Sequence, residues 1–382
     1  MGAAEDEIAR AEKEAEAAVE EAVEKARSCP EQEPGQLEDA VFATPVDKRP
    51  LPPPEGETRE MSYAHALNLA LSEALDADPS VVLIGEDVGV YNGAFKVSQG
   101  LLERFGPRRV IDTPISENSF VGVGVGAALG GLRPIVEIMF MDFLLLAADQ
   151  LVNHAAKMHF MFGGNCRVPM VIRTPAGGYR GYGATHSQTI EGFFLQSPGL
   201  KIVAPSSPRD ARAMLHSAVA DDDPVLFVEH KLLYGRRGPV PVAREALPLF
   251  GASVVRKGGH VTIASYGYTL HLALAAAEHL AGHGIEAEVI DLRSLCPLDV
   301  ETVSESAART GRLVVAEEGV RFGGVGAELA AAVNESAFGF IEAPILRVGA
   351  RRVPIPAARP LEDAVLPSAG DIAAACLRVL EE

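Results

Sequence analysis

The chain has 382 residues, 48% of them hydrophobic, and a formal charge of −18 at neutral pH. That length suits two domains and an appendage, and the acidity argues against nucleic acid and anionic membrane surfaces as partners. No apolar run approaches the roughly 18 residues that a membrane helix needs, so no spanning segment is predicted. The acidic start shows no basic flank before an apolar core. Cys29, Cys166, Cys296 and Cys376 form no CxxC pair. Reduced thiols in a cytoplasmic protein are the expectation.

In chain order, residues 5–27 read as a charged helix with a thin apolar stripe (Ile8, Ala11, Ala15, Val19, Ala22, Val23, Ala26) suited to packing on something else. Residues 28–60 carry seven prolines and read as an extended linker. From Met61 helices alternate with short apolar strands. A helix is predicted over Tyr63 to Ala77, then strands at Val81 to Ile84 and Arg109 to Ile111, a Gly/Ala-rich helix over Phe120 to Gly131, and a strand at Pro134 to Met139. A long helix over Asp142 to Phe162 follows, then strands at Val168 to Arg173, Leu200 to Ala204 and Val225 to Glu229, with a helix at Asp210 to Ala220. Residues 238–252 suggest an interdomain crossing. A second set begins at Val261, with a helix at Leu270 to Gly282 and strands at Ala287 to Ile290, Leu313 to Ala316 and Ile345 to Val348. Strands alternating with helices imply an α/β fold of two doubly wound domains, 61–245 and 253–382, behind an N-terminal helical extension, 1–60.

Chemistry-bearing residues follow several of these strands. Glu86 follows the first, Glu117 the second and the segment Phe140 to Phe143 the third, while His186 lies in a glycine-dense loop after the fourth. Taken singly each has an ordinary reading: a loop acid, a helix-start acid, a core aromatic, a surface histidine. If the strands are parallel, all four converge on one edge of the sheet, where open α/β folds bind ligands. Two carboxylates, an aromatic face and an imidazole there could work as an acid–base site around a bound ring. The run Gly122-Val-Gly-Val-Gly126 falls inside a helix rather than before it, which rejects a nicotinamide site and suggests close helix–helix packing across a subunit interface. No Walker loop, HExxH or GxSxG occurs.

Several segments, in this order, carry a family resemblance: Leu83-Ile-Gly-Glu-Asp87, Asp112-Thr-Pro-Ile-Ser-Glu117, Gly131-Leu-Arg-Pro134, Glu137-Ile-Met-Phe-Met-Asp-Phe143, Asp149-Gln-Leu-Val-Asn153, Thr185-His-Ser-Gln188, Asp291-Leu-Arg-Ser-Leu-Cys-Pro-Leu-Asp299, Glu317-Glu-Gly319 and Pro354-Ile-Pro356. From Met61 onward the chain resembles the β-subunit of the thiamine-diphosphate-dependent decarboxylase component of 2-oxo acid dehydrogenase complexes. The resemblance implies a pyrimidine-binding domain followed by a transketolase-type C-terminal domain. It also implies oxidative decarboxylation of a 2-oxo acid, pyruvate foremost, with acyl transfer to the lipoyl arm of an acyltransferase partner. A branched-chain 2-oxo acid, acetoin, or a transketolase-like fragment are the alternatives.

By the same resemblance Glu117 would hydrogen-bond N1′ of the cofactor's aminopyrimidine, with Ile115, Met139 and Phe143 lining that pocket. His186 would guide the substrate carboxylate and shuttle protons, and Glu86 would sit behind Glu117. Relatives bind a structural monovalent cation, potassium, and the matching positions are Met170, Ala218, Val219, Asp221 and Asp223. The Gly-Asp-Gly motif that holds magnesium and the diphosphate is missing. In the family it lies on the α-subunit, so an α2β2 assembly with a shared active site is expected. The first 60 residues depart from a typical β-subunit and look like an α-subunit tail, which suggests an ancestral or present α–β fusion.

Overall fold

A computed structural model describes residues 4–31, 33–48, 52 and 56–381. The chain divides into two units, Met1–Val41 and Phe42–Glu382. The first holds helix α1 (Glu5–Ser28), with Glu5, Asp6 and Glu7 in its first turn and Lys25 and Arg27 in its last. That polarity complements the helix dipole. Every described residue of α1 is exposed, the predicted stripe included. Parts of the proline-rich linker, 49–51 and 53–55, lie outside the described residues.

The second unit opens with β1 (Thr58–Ser62), α2 (Tyr63–Ala77), β2 (Val81–Gly85), α3 (Leu101–Phe105), β3 (Val110–Asp112), α4 (Glu117–Leu129) and β4 (Arg133–Glu137). Then come α5 (Met158–Met161), β5 (Val171–Ala176), β6 (Lys201–Val203), α6 (Pro208–Ala220), β7 (Val225–His230) and β8 (Arg237–Pro241). The next elements are β9 (Ser253–Arg256), β10 (Val261–Ser265), α7 (Gly267–Ala281), β11 (Ala287–Asp291), β12 (Ser294–Cys296) and α8 (Val300–Thr310). The chain closes with β13 (Leu313–Val320), α9 (Val325–Ala337), β14 (Leu346–Ala350), α10 (Arg359–Val365) and α11 (Ala369–Glu381). No helix among the described residues is long and apolar enough to cross a membrane.

The first sheet has seven strands in the order β12-β6-β7-β5-β4-β2-β3, parallel except for the edge strand β12. Successive residues along each strand face opposite sides, as the two-residue repeat requires. Val82, Ile84, Val136 and Ile172 pack under α4. Val81, Leu83, Ile135 and Val171 pack under α2 and α6. Ser62 caps α2 by accepting the His65 N–H at 3.2 Å, and Ser207 caps α6 with Pro208 at its first position. The second sheet, β14-β13-β10-β11-β9, is parallel except for β9. Helices α7 and α11 cover one face, and α8 and α9 the other.

Two expectations change. Residues 238–252 begin with β8, which pairs antiparallel with β1, so a two-stranded ribbon stands where an irregular crossing and the end of the linker were expected. The long helix over Asp142 to Phe162 is broken into a 3-10 stretch (Met141–Ala147), a π-helical turn (Gln150–Ala155) and α5. The cause is tertiary: Oδ1 of buried Asp142 accepts from N and Nε2 of Gln188 at 3.2 and 2.8 Å, which pulls the first turn towards another loop. Within α4, Gly124 faces the sheet, where a Cβ would stand 2.8 Å from Val136 and 2.9 Å from Met170. Its contact within the chain is therefore helix-on-sheet; Gly122 meets Gln150, and the space around Gly126 is open.

Candidate active site

Strands β5, β4, β2 and β3 are adjacent and parallel, so the loops after them emerge side by side. Those loops carry His186, Phe143, Glu86 and Glu117 respectively. Asp112, at the end of β3, fastens the loop after β2 by accepting the N–H groups of Gly89 (2.6 Å) and Val90 (2.9 Å). Glu117 is the first residue of α4 and is buried, at the end of a helix where the dipole favours an anion. Glu86 is buried as well. Its carboxyl is held above the ordinary value by burial first and then by the negative charge of Glu117, against a hydrogen bond from the Ser116 backbone. Oε1 of Glu86 has no partner within the protein. Glu86 is thus biased towards its protonated form.

Beside the carboxylates lies a cluster of rings. Phe143 stands edge-on to the His186 imidazole at 5.2 Å between centroids, and Phe140 does so at 5.0 Å. Phe140 also touches Phe95 and Tyr182. Thr185 Oγ1 lies 3.1 Å from His186 Nδ1, and Lys231 Nζ donates to the His186 carbonyl at 2.5 Å. Met139 is half-buried two residues past β4, while Ile115 is 85% exposed on the rim. A cavity of about 480 Å³ lies next to the His186 loop, lined by Thr185, Gln188, Thr189, Glu318 and Arg352 among others. A buried carboxylate pair with an orphan oxygen, beside an aromatic wall and an imidazole, fits an aminopyrimidine. Phe140 opens the aromatic segment expected at this edge, whereas nothing in the sequence reading pointed to Lys231. The run Glu229-His230-Lys231, closing an apolar strand, was the available signal for it.

At the opposite edge of the sheet lie Met170, Ala218, Val219, Asp221 and Asp223, the positions expected to hold potassium. The carbonyls of Val219 and Asp221 accept from Arg133 Nη1 at 3.0 and 2.9 Å, and that of Met170 accepts from Val225 N at 2.9 Å. Lys201 Nζ bridges the Asp221 and Asp223 carboxylates at 2.7 and 3.0 Å, while Arg133 and Arg167 hold Asp222, each at 2.6 Å. Asp223 also accepts the N–H groups of Ala43 and Thr44. Three carboxylates face three cations, so the cluster as arranged does not fit a further cation.

Between the two sheets lies a seam of buried acids. Glu318 accepts from Gly178 N (2.7 Å), Thr189 Oγ1 (3.1 Å) and His230 Nε2 (2.7 Å), while Tyr266 donates to Glu191. Burial pushes Glu317 up from its ordinary 4.5 to about 8, opposed by the Gly326 backbone N–H. A carboxyl with a raised folded value stabilises fully below its unfolded value, and that contribution is lost as pH climbs through the folded one. Stability is therefore expected to decline between about pH 4.5 and about 8 on account of Glu317. Glu317→Gln should flatten that decline and raise the melting midpoint above pH 8. Melts of both proteins from pH 6 to 9 check this, and parallel curves would exclude it.

Comparison with known proteins follows the same outline. Residues 59–237 match the family model of the transketolase pyrimidine-binding domain, and residues 251–372 that of the transketolase C-terminal domain. The chain is 46% identical to the pyruvate dehydrogenase E1 component subunit beta-1, mitochondrial, of Arabidopsis thaliana, over 84% of this chain and 89% of that protein. It is 46% identical to the pyruvate dehydrogenase E1 component subunit beta of Rickettsia conorii, over 84% of this chain and 98% of that one. Among solved structures it is similar to a split-gene transketolase in an inactive β4 tetramer, with a TM-score of 0.65 and 27% identity over 84% of this chain and 98% of that one. The chain therefore belongs to the family of the thiamine-diphosphate-dependent pyruvate dehydrogenase E1 β-subunits.

Proposed function

We propose that this chain is the β-subunit of a 2-oxo acid dehydrogenase that decarboxylates pyruvate oxidatively and passes the acyl group to the lipoyl arm of an acyltransferase partner. The observation that carries the reading is the buried pair Glu86 and Glu117, set beside Phe140, Phe143 and His186 on neighbouring strand ends. The 46% identity to pyruvate-named subunits supports pyruvate, and the 27% identity to the transketolase chain weighs against a transketolase-like fragment.

Thiamine diphosphate, when bound, supplies the electron sink that decarboxylation of a 2-oxo acid needs. The protein's part is binding, orientation and proton placement. Glu117 would hydrogen-bond the pyrimidine N1′ and exchange a proton with it, and burial strengthens that hydrogen bond. Glu86, whose charged form is disfavoured by burial and by Glu117, is the carboxyl more readily protonated than an ordinary glutamate. Ile115, Met139 and Phe143 wall the ring, and His186 faces the substrate as proton carrier. Magnesium and the diphosphate are assigned to an α-subunit, since the sequence has no Gly-Asp-Gly motif. Residues 61–245 and 253–382 are taken as the two domains, and α2β2 as the assembly. The cytoplasm is taken as the compartment, a reading supported by four free cysteines.

The test is a calorimetric titration of thiamine diphosphate with magnesium into the chain alone and into its complex with the α partner. The complex is then assayed against pyruvate, branched 2-oxo acids and acetoin. Binding in the complex only, with pyruvate preferred, is the expected result. Tight binding to the isolated chain would overturn the shared site.

A further inference from the structure

Lys231 is the residue that follows β7, and it is 0% exposed. A buried ammonium is rare unless it is paired with a carboxylate. Among the described residues Lys231 makes no ion pair. Its Nζ donates to the His186 carbonyl at 2.5 Å and lies 5.0 Å from the centre of the Phe140 ring and 5.6 Å from that of Tyr182. Phe140 in turn stands 5.0 Å from the His186 imidazole. The end of β7, the turn after β4 and the loop after β5 therefore meet here, the ammonium bonding the His186 backbone and the Phe140 ring standing against both the ammonium and the imidazole. A methionine would fill the same volume without the desolvation cost. What the ammonium adds is a directed, charge-assisted bond to one backbone oxygen.

We propose that Lys231 is a positioning residue, holding the His186 imidazole in its working orientation through the His186 backbone carbonyl and the Phe140 ring. This rests on the role proposed above for His186. The charged groups around the ammonium are Asp142 after β4, Glu318 on β13 and Glu362 on α10, which favour its charge, and Arg180 in the loop after β5, which opposes it. Burial outweighs the acids and pulls Lys231 down from its ordinary 10.5 to about 8. The ammonium is thus present below about pH 8 and lost above it, so turnover should carry an alkaline limb there.

The experiment compares the wild-type α-complex with Lys231→Met and Lys231→Arg on the 2-oxo acid that the wild type uses. For Lys231→Met, kcat is expected to fall at least about tenfold, as expected for a misplaced reacting group. KM and the cofactor dissociation constant should stay within about twofold, and the alkaline limb should disappear. Lys231→Arg should recover part of kcat. Unchanged kcat, or a loss that leaves the alkaline limb in place, would overturn the proposal. Should Lys231→Met fail to fold, the wild-type profile decides, since no limb between about pH 7 and 9 is equally fatal. If the wild-type complex is inactive on every 2-oxo acid, it is the functional reading that fails. The positioning is then read from the His186 imidazole NMR resonance of the full chain, which should shift in Lys231→Arg; an unmoved resonance refutes it.

Discussion

Replacing Glu117 by glutamine is expected to lower kcat of the α-complex by roughly 10²–10⁴-fold, the range for loss of a positioned acid–base group, with the melting midpoint nearly unchanged. Glutamine has the shape of glutamate and can keep Glu117's place at the start of α4. What it lacks is an ionisable oxygen that can pass a proton to a ring nitrogen and take it back. Burial makes that difference large, because the group is poorly screened by water. Glu86→Gln should cost less. Burial and the neighbouring charge already bias Glu86 towards its protonated form, which an amide imitates in part. Steady-state kinetics on pyruvate, with calorimetry of cofactor binding, separates the two variants. Full turnover by Glu117→Gln would end the acid–base reading of the site.

Removing the Arg173 guanidinium should have the largest effect on stability. Arg173, on β5, is 1% exposed and bonds Glu137 on β4 at 2.7 Å and Glu229 on β7 at 2.7 and 2.9 Å. Tyr234 donates to the same Glu229 carboxylate at 2.7 Å. The network joins three central strands at the level where the site loops leave the sheet. In Arg173→Met two buried carboxylates lose their counter-charge, which typically costs about 3–5 kcal/mol. Urea unfolding would read this as a lowered midpoint with an unchanged slope. Arg173→Met combined with Glu137→Leu and Glu229→Leu should recover much of the loss, since apolar packing can replace a buried ion network. A single-variant loss below about 1 kcal/mol would mean that water reaches the pair.

The sequence by itself determined the local elements and the edge on which the chemistry gathers. Tyr63 to Ala77 was legible because its apolar residues recur at helical spacing. Strands β2, β4 and β7 were legible as short apolar runs bounded by polar or glycine residues. Once such runs alternate with helices the sheet is parallel, and residues that follow its strands share one edge, as Glu86, Glu117, Phe143 and His186 do.

Only the tertiary structure decided contacts between segments distant in the chain. β12 comes from the second half yet pairs with β6 of the first sheet, and no local pattern encodes such a partner. The helix expected from Asp142 broke because Gln188, 46 positions on, takes its carboxylate. Lys231 reads as an ordinary charged residue until folding brings it to His186, and the aspartates expected to hold potassium meet Arg133 and Lys201 only in three dimensions. Periodicity is a property of neighbours in the chain. Pairing, register and the charge around a buried group depend on neighbours in space.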